Sequence, residues 1–224
     1  MDFLKRFTGV IVSPSETMKG LVEKPRILFP ILATALSTLI FYLARYPLYL
    51  DFLRYSMEMG MSQNNVQMSP EQLEAAMKIG GIMSLVTTPI MALFWFLFTV
   101  GIVFGLTKAF KGEGTFKQFV SVTGYAVVIN ILYYLISAVV SFSTGKLLMD
   151  ASLANITNLF APGIKGTFLY GVIRGIDLFS IWYYAVVSIG VVQASKLSKV
   201  KVYPIVFGIY LVLVLVGANG YRFM

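Results

Sequence analysis

The chain has 224 residues, 58% of them hydrophobic and 12% charged, with a mean hydropathy of +0.80 and a net charge of +8. Soluble domains carry about 25% charged residues, so a single water-soluble core is excluded and a polytopic membrane protein is the expected class. Cysteine and histidine are both absent. Disulfides, thiolate sites, the commonest metal ligand and the usual neutral-pH general base go with them. The composition therefore points away from an enzyme, and no cofactor is expected. The positive charge is read as loop charge beside anionic lipid, with no nucleic-acid partner.

In chain order, residues 1–26 read as a cytoplasmic amphipathic segment. "MDFLKRF" is followed by only a short apolar run, so no cleavable signal is expected and insertion would use the internal spans. Phe3, Leu4, Phe7 and Ile11 share a helical face flanked by Lys5 and Arg6, and Met18, Leu21 and Val22 repeat the pattern after Pro14. Two short interfacial helices fit this pattern; packing against the bundle fits it equally. "SPSE" at 13–16 matches a capping box with Pro at the first helical position. The first span is placed at about 27–44.

The loop "YSMEMGMSQNNVQM" follows. Met57, Met59 and Met61 present soft thioethers that suit Cu(I), but without His or Cys they read better as flexible filler, and no metal site is assigned. "SPEQ" at 69–72 is a second capping box. The second span is placed at 79–107, with Pro89 inside and Gly101 and Gly105 at helix-packing spacing. Gly112 and Gly114 predict a turn, and "TFKQ" at 115–118 predicts a helix from Phe116 leading into a third span at 120–142.

Asn130 is a lone polar residue within that span, suited to an interhelical hydrogen bond. "NIT" at 155–157 matches a glycosylation sequon on the outer side, where a chance match is the plainer reading. The fourth span, 171–195, carries Arg174 and Asp177 in its first turns, with Gly171 and Gly175 at packing spacing. Three residues apart on a helix, Arg174 and Asp177 would share a face and pair. The pair is read as interfacial or as fixing helix register. A polar site in the bundle is the alternative. The fifth span is placed at 202–219.

Orientation follows from Lys and Arg. The amino-terminal segment, the loop after span two and the loop after span four carry Lys5, Arg6, Lys19, Lys24, Arg26, Lys108, Lys111, Lys117, Lys196, Lys199 and Lys201. The other side has Arg45, Arg54, Lys78, Lys146, Lys165 and Arg222 over longer loops. The expectation is an all-α bundle of five transmembrane helices, amino terminus cytoplasmic and carboxy terminus outside.

Three stretches resemble the bacterial branch of the Yip1 family of five-span membrane proteins: "GVIVSPSETMKGLVEKP", "FKGEGTFKQFVSVTGYA" and "DLFSIWYYAVVSIGVVQASKLSK". The resemblance runs over nearly the whole chain and implies the same five-span topology. The family is linked in eukaryotes to vesicle trafficking and Rab GTPases. The "DLYGP" motif and long polar amino-terminal region of the eukaryotic members are absent here, so the resemblance implies the fold more firmly than the activity.

The functional expectation is a non-enzymatic membrane-organising or partner-binding bundle, multi-pass in the cell (inner) membrane, or in an endomembrane if the source is eukaryotic. Its partners would be the bilayer and a membrane or peripheral protein, with a homo-oligomer left open. The alternative is a small transporter or channel for an ion, proton or lipid, lined by Arg174, Asp177 and Asn130.

Overall fold

The computed structural model describes residues 3–63, 65–148, 152 and 167–220. Among these, ten α-helices follow one another: α1 (Phe3–Val12), α2 (Pro14–Glu23), α3 (Leu28–Ala44), α4 (Tyr46–Gln63), α5 (Pro70–Ala109), α6 (Phe116–Tyr125), α7 (Val127–Thr144), α8 (Phe168–Gly175), α9 (Leu178–Ser195) and α10 (Lys199–Asn219). The fold is all-α, as expected. Four stretches are long and apolar enough to cross a membrane: α5, α6 with α7, α9 and α10. A fifth arises if α3 and α4, bent by 75° at Arg45, count as one broken span.

Local chemistry sets several helix starts. Ser69 and Gln72 close a reciprocal capping box at α5, and Thr115 and Gln118 do the same at α6. Each satisfies two backbone donors that a helix start leaves orphaned. Ser13 corrects the third expectation: α2 does start at Pro14, but the Ser13 side chain makes no cap bond, and its backbone (φ −142°, ψ 65°) leaves the usual extended cap geometry. α5 runs 40 residues, about 60 Å along its path, and continues through Pro89. It exceeds the 79–107 span by a polar overhang on its amino-terminal side.

The predicted fourth span is broken. Ile176 and Asp177 are extended, which separates α8 from α9. This overturns the premise that Arg174 and Asp177 sit on one helix face: Arg174 belongs to α8, and Asp177 to the break.

The core is concentrated at the end of the bundle that holds α1 and α2. Every residue from Phe119 to Ile129 is buried. A helical stretch hydrophobic and covered on all sides is a core element. Partners approach it through glycines. A Cβ on Gly124 would meet Pro30 of α3, and one on Gly190 of α9 would meet Val122 at 2.8 Å. Met18 and Leu21 of α2 are sealed into the same cluster, at 0% and 1% exposure. Gln118 Nε2 donates to the Val22 carbonyl at 2.9 Å, and Arg26 N–H donates to Ser121 Oγ at 3.0 Å. α2 is thus packed into the bundle. On α1 Gly9 and Val10 are buried, while Leu4, expected on the apolar face, is 66% exposed.

The turn between α5 and α6 is pinned by Glu113 N–H donating to the Ser195 carbonyl at 2.7 Å. Gly114 takes φ +85° there, and a Cβ would lie 2.4 Å from the Ala194 carbonyl oxygen. Both its left-handed backbone and its close approach require glycine.

Met18→Ala is expected to destabilise the protein by about 2–5 kcal/mol through the cavity it leaves, and Leu4→Ala by less than about 0.5 kcal/mol. Unfolding in detergent measures both. Equal, small effects would show that α2 does not contribute to the core.

Candidate functional site

The break before α9 is built by one side chain. Asp177 is the N-cap: one carboxylate oxygen accepts from Ser180 N–H at 2.9 Å and the other from the Ser180 hydroxyl. A carboxylate at a helix start satisfies an orphan donor and meets the positive end of the helix dipole. Backbone pairing of Asp177 with Ser152 as an isolated antiparallel bridge holds the extended segment. The carboxylate is therefore committed to capping.

α8 returns to α10 by close approach. Gly171 is buried, and a Cβ on Gly175 would lie 2.6 Å from Val214 Cγ1. Tyr210 Oη donates to the Gly175 carbonyl at 2.7 Å and stacks on Tyr184, centroids 4.6 Å apart. Gly171 and Gly175 thus sit where the backbones of α8 and α10 meet. Gly101 and Gly105 do not pack within the chain: no atom lies within 4 Å of a Cβ at either, because that face of α5 looks outward.

Between α3, α5, α7, α9 and α10 lies a cavity of about 440 Å³ whose polar lining includes Thr34, Ser37, Thr99, Asn130, Tyr183 and Ser180. Asn130 and Ser180, the residue that Asp177 caps, therefore border one space. Arg174 lines an adjoining cavity of about 330 Å³, which shares Ser180, Tyr184, Leu213 and Gly217 with the first. Asn130 and Arg174 thus line two neighbouring cavities that share Ser180, while Asp177 lines neither and touches them only through its cap on Ser180. The hydroxyls of Thr34 and Ser37 are buried and make no hydrogen bond. Buried polar atoms normally find partners, so this lining has hydrogen-bonding capacity to spare. Its polar groups are neutral: hydroxyls, the Asn130 amide and the Trp95 indole.

The three methionines are not gathered. α4 is helical through Met57, Met59 and Met61, so Met59 is turned by about 200° from each of the others. Met57 and Met61 are half-buried, and Met57 reaches toward Gly80 of α5; Met59 is exposed. The helix corrects the idea of a converging thioether set. The sequon at 155–157 lies outside the described residues.

Sequence reasoning passed over Arg45, treated as a loop cation. It is 9% exposed at the C-cap of α3. Nη1 donates to the Leu148 carbonyl at 2.7 Å and to Ser137 Oγ at 3.3 Å, and Nε donates to the Phe41 carbonyl at 3.5 Å. The guanidinium lies 3.4 Å from the centroid of the Phe41 ring. Two of its partners, Ser137 and Leu148, come from about a hundred residues away, which no local pattern announces.

Comparison with known proteins follows this geometry. The Yip1 domain model matches residues 8–218. The chain is similar to membrane protein YknW of Bacillus subtilis (strain 168), 29% identical over 197 residues, which is 85% of this chain and 79% of that protein. No solved structure matches.

Asp177→Ala, which leaves the α9 start uncapped, is expected to cost about 1 kcal/mol, while Asp177→Asn, an equally good cap, should cost little. Unfolding of the two variants side by side measures this. An equal loss in both would mean that the charge matters and the cap does not.

Proposed function

The chain belongs to the Yip1 domain family, and from that premise we propose that it is a non-enzymatic membrane scaffold that holds a protein partner at its basic face. The observation carrying this reading is how that face is built. The core fixes α1, α2, the α5–α6 turn and the α9–α10 turn to one end of the bundle. Lys5, Lys19, Lys24 and Arg26 are exposed there together with Lys108, Lys111, Lys117, Lys196, Lys199 and Lys201. Exposed Leu4, Val12, Phe110 and Val200 lie among them.

A rigid, positively charged surface with apolar points suits an acidic protein partner, with charge steering the encounter and the apolar side chains holding it. In this reading the basic face is cytoplasmic and the membrane is the cell membrane. The support for a non-enzymatic role is chemical: histidine and cysteine are absent, and the Asp177 carboxylate is spent on a helix cap.

The second reading is transport of an ion, a proton or a lipid. The joined cavities bordered by Asn130, Ser180 and Arg174 favour it. Intramembrane polar residues facing a shared space are the usual lining of a pathway.

Two measurements separate them. The triple variant Lys19→Glu, Lys117→Glu, Lys201→Glu should lose at least most of the partner recovered with the full chain from its native membrane, at unchanged thermal stability. Unaltered recovery would sink the scaffold reading. Proteoliposomes holding the wild-type chain should pass candidate ions no faster than empty vesicles. Flux that falls in Asp177→Asn would establish transport instead.

A further inference from the structure

Arg45 poses a problem of charge. It is nine-tenths buried, and each of its hydrogen-bond partners is neutral: two carbonyls and a serine hydroxyl. The Phe41 ring adds a cation–π contact. Among the described residues no carboxylate pairs with it, and Nη2 makes no hydrogen bond there. A buried cation without an anion is costly.

The surroundings supply the shape of what would answer it. Arg45 borders a cavity of about 290 Å³ that also presents Thr38, Tyr42, Tyr49, Thr88 and Tyr134. The Thr38, Tyr42 and Tyr49 hydroxyls are hydrogen-bonded within the protein, so the guanidinium, flanked by Thr88 and Tyr134, is the group suited to phosphate oxygens. Phe41 and Tyr134 are shared with a second, apolar space of about 380 Å³ lying between α3 and α7. Its walls are Ala33, Leu36, Ile40 and Ala44 on one side and Ile131, Leu135 and Ala138 on the other. From Ala44 to Ala33 the groove follows α3 for about 16 Å. Ser37 is its one polar side chain besides Tyr134.

Depth agrees. α3 has 17 residues and is about 25 Å long, close to the hydrocarbon thickness of a bilayer at about 30 Å. Arg45 caps the end of α3 away from α1 and α2, and the groove leads from it toward the middle of the helix. A phospholipid of that leaflet has the same polarity, with its phosphate at the interface and its acyl chain pointing inward.

We propose that this site binds one anionic phospholipid, its phosphate on Arg45 and one acyl chain in the α3–α7 groove. The lipid supplies the missing negative charge and covers the apolar wall. The site is separate from the basic face and does not depend on the scaffold reading.

The test uses the purified full chain in detergent with phosphatidylglycerol, phosphatidylcholine or inorganic phosphate added, read by native mass spectrometry and thermal stability. Phosphatidylglycerol should bind one molecule per chain at least about tenfold more tightly than phosphatidylcholine and raise the melting temperature. Inorganic phosphate should do neither.

Arg45→Gln should remove the preference. Because Arg45 also ties α3 to α7, a second variant, Ala138→Phe, fills the groove and leaves the guanidinium in place. It should weaken phosphatidylglycerol binding to a similar degree. Equal binding of the two lipids would overturn the proposal, as would phosphatidylglycerol binding that survives Ala138→Phe. A phosphate effect matching that of the lipid would make this a site for soluble anions and overturn it too.

Discussion

Everything at one end of the molecule depends on a stretch with no outward face, the end of α6 and the start of α7. Residues Phe119 to Ile129 are covered on every side, so neighbours must close around them, and the neighbours' shapes follow. α3 presents Pro30 to Gly124, α9 presents Gly190 to Val122, and α2 brings Met18 and Leu21 to seal what the spans leave open. In a bilayer, apolar contact with lipid competes evenly with apolar contact with protein, so close fit has to supply the attraction. Glycine against Pro or Val is the fit used here. Once α2 is held, the turns at 110–115 and 196–198 are tied to it and to one another, and the lysines they carry become a surface of fixed shape.

The opposite end is organised differently. There the helices are interrupted, at Arg45 and at Ile176–Asp177. Interruptions expose backbone groups that a membrane cannot satisfy, so polar side chains gather to do it. Asp177 with Ser180, Tyr210 with the Gly175 carbonyl, and Arg45 with the Leu148 carbonyl are three versions of that answer. The cavities lie beside these interruptions. One end of the bundle is built around the buried stretch of α6 and α7, and the other holds the buried Arg45 and the cavity beside it.

How much of this the sequence announced depends on how local each cause is. The boxes at Ser69–Gln72 and Thr115–Gln118 involve residues three apart and were legible at once. Ser13 shows the same letters without the bond, because the tight α1–α2 link sets its backbone. Asp177 carried a cap signal that went unread, an Asp before an apolar run. The apolarity of residues 171–195 hid the break and suggested an ion pair instead. The apolar stripe of α2 was visible, but periodicity cannot distinguish a face turned to lipid from one turned to protein. Arg45 was illegible: its burial is decided by Ser137 and Leu148, far along the chain.

The sealing of α2 has a consequence for biosynthesis. Its buried residues, Met18 and Leu21, rest on α6 and on α9, elements made roughly one hundred and one hundred and seventy residues later. During synthesis the first helices have no protein seat, and their apolar faces must be held elsewhere, by the bilayer surface or by the insertion machinery. Contacts of such long sequence separation form late. The core around α2 thus closes only after α9 has been made, which places assembly of the basic face late in synthesis.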